Sequence, residues 1–298
     1  MTQKTREFIN GSLSLLTAAF LFSTFGALAK IVAFDIPLFY QSVVRSLMLS
    51  IGLGIWIYLS KQWKQPSQKD VAWIIARSVG GCIGYALMYQ GLYALTIGTT
   101  YFITYAGTII GSFIAGYLLF KEKMSPFKIL CFFLAILGLY IIYYDTLKFN
   151  SPYFIFIDII AGFGYAAWFT FSKKISHLYP TIQLNFLDTF FGLIFMLILS
   201  IATREQWTIP PLTKPWIVSL LYGLVSITAS QLIIIGFKRV EAQIGSIITL
   251  SEILFAMILG AIFFKESVTT MALIGGFLIV TAIALPEIRS ILVRSKEV

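Results

Sequence analysis

One carboxylate, Glu252, interrupts the apolar stretch from Thr249 to Glu266, TLSEILFAMILGAIFFKE, about ten residues into a run long enough to cross a bilayer. An acid at that depth binds a cationic group of a solute, carries a proton, or stands as a structural acid hydrogen-bonded to serine and threonine of a neighbouring helix. Arg45, Asp158 and Asp188 raise the same question, because a charge at a bilayer centre costs at least ~2.5–3.5 kcal/mol without a partner or a cavity. Arg45 and Asp188 each follow a proline, Pro37 and Pro180, by eight residues. At ~1.5 Å per residue both lie roughly 12 Å from the surface they start at, close to mid-membrane. An ion pair between them would lock one conformation; hydrogen bonding of each inside its own half of the chain is the plainer expectation. Asp158 either lines an outer cavity mouth or snorkels toward the headgroups.

A polar face of another kind accompanies these charges. Tyr101, Thr104, Tyr105 and Thr108 follow the spacing i, i+3, i+4, i+7, which puts four hydroxyls on one side of a helix. Such a stripe fits a cavity better than lipid, and it is expected to face Thr249 and Glu252. Tyr85, Met88 and Tyr89, with Trp168 and Gln231, would complete the lining. For any one aromatic the alternative is packing between helices or an interfacial belt.

Other chemistries find no footing. No glycine-rich phosphate loop followed by lysine and serine or threonine is present, so ATP-driven transport by this chain is unsupported. The single histidine, His177, lies beside Lys173 and Lys174, and no triad or histidine metal site can be built from it. Cys82 and Cys131 fall singly inside apolar spans and are expected to be packing residues. No cofactor is expected, and an intramembrane enzyme lacks a convincing nucleophile and base.

The elements that position these residues follow from composition. Of 298 residues, 58% are hydrophobic and 12% charged, with a mean hydropathy of +0.88, which describes an integral membrane protein in contact with the lipid bilayer. Ten spans are expected, near residues 12–33, 36–59, 71–94, 97–120, 126–144, 152–172, 180–202, 215–237, 242–264 and 269–288. Turn signals such as Asp35-Ile36-Pro37, Ser125-Pro126 and Pro210-Pro211 separate several of them. The net charge of +9 sits in short loops and records topology, so nucleic acid is excluded as a partner. With the N-terminus inside, only Lys30, Lys148, Arg204, Lys214 and Lys265 fall on the outer side, while the inner segments hold most of the remaining lysine and arginine. A multi-pass protein of the cell (inner) membrane with both termini cytoplasmic is expected. The segment MTQKTREFIN lacks a convincing cleavage site, and the first span is read as retained.

The chain also repeats itself. YAGTIIGSFIAGYLLFKE, from Tyr105 to Glu122, matches the opening stretch, with Gly116 on Gly260, a shared Phe-Lys-Glu ending, and Thr108 where the second copy has Glu252. Setting Pro37 on Pro180 also aligns Lys30 with Lys173 and Ala18 with Ala161. Five spans per repeat is odd, so the halves, residues 1–148 and 149–298, must cross the membrane in opposite senses and enclose a midplane site that opens by rocking one half on the other.

These residues resemble the EamA-type members of the drug/metabolite transporter superfamily. The ninth-span signature of that family is an acid, often followed by proline, ahead of an apolar run ending in Gly-Glu; here Ile253 takes the proline place and Lys121 and Lys265 the glycine places. Asp35-Ile36-Pro37 with Arg45, the run Gly236 to Ala242, and Gly276 are further matches. The resemblance implies an all-α integral membrane fold, ten transmembrane helices in two inverted five-helix repeats around a central cavity, and export or uptake of a small-molecule solute. Taken with the acid and the aromatics, it favours a secondary-active carrier of an amino acid or other zwitterionic or cationic solute. Coupling would be to a proton through Glu252, or plain exchange. A channel or a structural or assembly protein of the membrane is the alternative, though neither needs an inverted repeat around a central site.

Overall fold

The computed structural model describes residues 3–25, 28, 36–209, 211–265 and 267–294. Among the described residues it is all helical: α1 Gln3–Ser23, α2 Leu38–Ser60, α3 Gln68–Ala94, α4 Ile97–Phe120, α5 Pro126–Tyr143 with a 3₁₀ turn at Tyr144–Thr146, α6 Pro152–Ile175, α7 Thr181–Ala202, α8 Lys214–Arg239, α9 Ala242–Thr249, α10 Ser251–Phe264 and α11 Thr270–Arg294. Eight of the described stretches are long and apolar enough to cross a membrane, the ninth of the expected spans counting once as Ala242–Phe263, and Thr270–Pro286 is a shorter apolar helix. The chain is a multi-pass membrane protein. Its first helix starts at Gln3, well before residue 12, so the charged leading segment is itself helical, and α11 runs through Pro286. Lys30, Asp35, Pro210, Glu266 and Lys296 lie outside the described residues.

Local chemistry explains where the helices start and stop. Thr96 and Ser125 cap α4 and α5 by accepting from the backbone N–H of Thr99 and Lys128, at 3.2 and 3.3 Å, and Pro126 and Pro152 take first-turn places where no N–H is needed. Helices α2, α4 and α10 end in a lysine with left-handed backbone: Lys61 and Lys121 at φ 53° and Lys265 at φ 56°. That conformation is the reason a glycine suits the place before the glutamate in the repeated ending. After Lys121 the chain turns back so that the Glu122 N–H reaches Gly116 O at 2.9 Å. The span expected at 242–264 is interrupted at Leu250. There Leu250 N–H donates to Ile247 O and Ile253 N–H to Leu250 O, a tightened turn made without proline, and Glu252 falls in the first turn of α10.

The packing units are not the two sequence halves. Helix α6 lies along α3 and α4 of the other half, α1 lies along α8 and against α9 and α10, α2 pairs with α7 and α5 with α11, while neighbours within a half touch little. Small residues make the crossings possible. Gly80 and Gly84 face the α6 backbone at Gly164 and Ala161, Gly107 faces Gly162, Gly11 faces Gly236, and Gly138 faces Gly275. The bundles α3–α4–α6 and α1–α8–α9–α10 each draw on both halves.

Candidate functional site

A cavity of about 320 Å³ lies between these bundles, lined by α1 to α4 of one half and α6, α7, α8 and α10 of the other. The stripe on α4 faces it entire: Tyr101, Thr104, Tyr105 and Thr108 all line the wall, and the Tyr101 and Tyr105 rings stack 5.8 Å apart. Glu252 opens into the same space from α10, with the Tyr105 hydroxyl beside its carboxylate. From α3 come Tyr85, Met88 and Tyr89, the two tyrosine rings 4.7 Å apart. Trp168 contributes from α6.

Three of the residues singled out in the sequence lie elsewhere. Thr249 is buried and spends its hydroxyl on Ser246 O at 2.8 Å. Gln231 is half-buried and absent from the cavity wall. Asp158, expected at a mouth or snorkelling, is fully buried on α6 facing Gly91 of α3, where no side chain intrudes, with the Thr100 hydroxyl near it.

Arg45 and Asp188 both line the cavity and do not pair with each other; each has partners in both halves, Arg45 donating to Ser42 Oγ of its own helix and Asp188 accepting from Trp168 of its own half. Asp188 accepts from Arg77 of α3 in a buried ion pair, from Ser78 Oγ at 2.6 Å and from Trp168 Nε1 at 3.0 Å. Arg77 is 1% exposed and also donates through Nε to Ser172 Oγ at 2.7 Å. Arg45 lies with its guanidinium 4.4 Å over the ring of Tyr222, in the opposite half. Partners cross the halves because the helices do: α7 meets α3, and α2 meets α8.

Several lining residues escaped sequence reasoning: Ser42, Ser46, Asn185, Thr189, Tyr222 and Ser230. The signal for four of them was present. Ser42, Arg45, Ser46 and Leu49 keep the helical spacing i, i+3, i+4, i+7, and Asn185, Asp188, Thr189 and Gly192 repeat it at the matched positions of α7. All eight line the cavity. The match extends to Phe22 of α1 and Phe25 just past its end, which correspond to Tyr165 and Trp168 of α6 and share the wall with them.

This is one repeat used twice around a single site, and comparison with known sequences agrees. Residues 9–144 and 152–286 each match the model of the EamA-like transporter family. The chain belongs to that family. As an EamA-like protein it is also 20% identical over 266 residues to an uncharacterized membrane protein of Saccharomyces cerevisiae. The match takes in 80% of this chain, which spans only 64% of that relative's length. A solved crystal structure superposes with a TM-score of 0.74, covering 92% of the EamA-like chain and 97% of its own, at 17% identity, a likeness of fold.

Away from the cavity the ending of the first repeat ties helix ends together. Glu122, almost wholly buried, accepts from the backbone N–H of Ala242 and Gln243 at the start of α9, at 2.8 and 3.3 Å, and from Lys173 Nζ at the end of α6, at 2.6 Å. Gly116 leaves room for it, since a Cβ there would stand 2.7 Å from Glu122 Oε2. At the opposite ends of the helices Glu205 accepts from the N–H of Phe39 and Tyr40 at the start of α2, at 3.0 and 2.6 Å.

Proposed function

We propose that this EamA-like protein is a secondary-active carrier of a small organic solute, zwitterionic or cationic, with Glu252 as the group that meets the solute's positive charge or an exchanged proton. The observation that supports this most is the setting of Glu252. It opens into a cavity shared by both repeats, among the tyrosines of α3 and α4, and no basic side chain pairs with it among the described residues. A carboxylate in that position is expensive for the fold, and its opening into the cavity makes it available to a solute or proton that enters. The reading takes the membrane topology as ten spans with both termini cytoplasmic in the cell membrane. Alternating access then amounts to relative movement of the two interlaced bundles about the cavity.

Counterflow in proteoliposomes tests it. A carrier shows saturable uptake of labelled solute stimulated by unlabelled solute on the far side; flux without trans-stimulation indicates a pore and overturns the reading. If a proton is exchanged at Glu252, Glu252→Gln abolishes uphill transport and leaves exchange intact, whereas unchanged uphill transport removes Glu252 from the coupling.

A further inference from the structure

Two arginines lie within the spans and the fold treats them differently. Arg77 has a carboxylate partner in Asp188, donates through Nε to Ser172 Oγ, leaves Nη2 buried without an acceptor, and lies 5.7 Å from the ring of Trp168. Arg45 has no carboxylate. Its Nη2 donates to Ser42 Oγ at 3.3 Å, its Nη1 is buried with no hydrogen-bonded acceptor, and its other neighbours are the ring of Tyr222 and the hydroxyl of Tyr85. The stem is held in place: a Cβ on Gly223 would stand 2.7 and 2.8 Å from Arg45 Cγ and Cδ, so the absence of a side chain there is what seats the arginine.

A guanidinium keeps its charge at any pH a cell meets, so Arg45 cannot escape burial by losing a proton. A ring face and two hydroxyls offset only part of the loss of hydration. Its planar fork of donors matches a carboxylate in bidentate geometry. Glu252 opens into the same cavity from α10, no ion pair joins the two, and Tyr222 lies within electrostatic reach of both.

We propose that Arg45 is an anion subsite that takes the carboxylate of the transported solute while Glu252 faces its amino group, so that the substrate class is a carboxylate-bearing zwitterion such as an α-amino acid. This rests on the carrier reading above and narrows it, because a solute with a positive charge alone leaves Arg45 unanswered.

The test is a thermal-shift titration of the purified full chain with three matched sets of probes: the proteinogenic α-amino acids, the amines left by their decarboxylation, and the carboxylic acids left by removal of the amino group. The expected result is stabilisation by one or more amino acids, with about tenfold or greater loss of affinity in Arg45→Gln. Glu252→Gln weakens binding of that amino acid but not of the matched carboxylic acid. Arg45→Lys keeps the charge and loses the fork, so it falls between wild type and Arg45→Gln and serves if Arg45→Gln does not fold. Stabilisation by amines alone, unchanged affinity in the Arg45 variants, or no wild-type stabilisation by any amino acid or carboxylic acid overturns the proposal. Its failure stays separate from that of the carrier reading: amine binding with trans-stimulated counterflow leaves a carrier without the Arg45 subsite, and amino-acid binding lost in Arg45→Gln without counterflow leaves the subsite without a carrier.

Discussion

Replacing Asp188 by asparagine tests whether the Arg77–Asp188 pair holds the two halves together. Asparagine keeps the shape and one acceptor but removes the charge opposite Arg77, which at 1% exposure cannot turn to water. Trp168 Nε1 and Ser78 Oγ must then compete for what is left. Removing one member of a buried pair costs about 3–5 kcal/mol because the other charge stays behind uncompensated. At roughly 2–4 °C per kcal/mol the melting midpoint should fall by about 10 °C. Replacing both partners with apolar residues, Arg77→Met with Asp188→Leu, removes the stranded charge and should recover most of that loss. Trp168 donates to Asp188, so in a background with the other five tryptophans replaced by phenylalanine its fluorescence during thermal unfolding in detergent follows the site directly. A single variant that melts within about 2 °C of wild type, or a double variant that melts as low as the single one, would refute the reasoning.

Further outcomes follow from other contacts. Glu122→Gln weakens the tie among α4, α6 and α9, and should raise labelling of the native cavity thiol Cys82 by an impermeant maleimide added from the side bearing Glu122, in a Cys131→Ser background. Gly162→Ala places a methyl 2.5 Å from Thr104 O and 2.8 Å from the backbone of Gly107, and should cost about 1–3 kcal/mol in thermal unfolding. Gly52→Ala, with open space around it, should instead gain up to about 1 kcal/mol. Lys121→Gly relieves a left-handed residue worth about 1–2 kcal/mol, less the extra freedom of glycine in the unfolded chain, so it should melt at or above wild type while Lys121→Val melts below it.

Much of the site was legible because it obeys helical spacing on one element. The hydroxyl stripe of α4 needed only its own residues, and the repeat carried Glu252 opposite to it. What spacing could not reveal is which helix stands across the gap. Asp188 has two arginines within the spans to choose from, and only the crossing of α3 with α7 selects Arg77 over Arg45. Asp158 shows the same gap from the other direction. Its depth in α6 was readable, but that Gly91 clears a buried recess for it on α3 was not. The lysines in the Gly-Glu ending looked like departures from a pattern, yet the backbone keeps the left-handed turn and charges the side chain for it. The helix break at Leu250 likewise persists with Ile253 in the place of proline, because side-chain hydroxyls on Thr249 and Ser251 bond back to Ser246 and Ile248 carbonyls and loosen the ladder there.

The weave of the two halves also bears on how the molecule is made. Helix α1 is synthesised long before the surface it fits, since Gly236, which packs against Gly11 and Leu15, is encoded more than two hundred residues later. At roughly 5–20 residues per second, translation leaves α1 waiting at least ~10 s for α8 to be synthesised. During that interval α1 carries its glycine and serine face without a partner, and α6 in turn is the element that closes the bundle begun by α3 and α4. A substitution at Gly11 therefore goes undetected until α8 arrives, so such a defect would surface as degradation after α8 has been made and not as failure of α1 to insert.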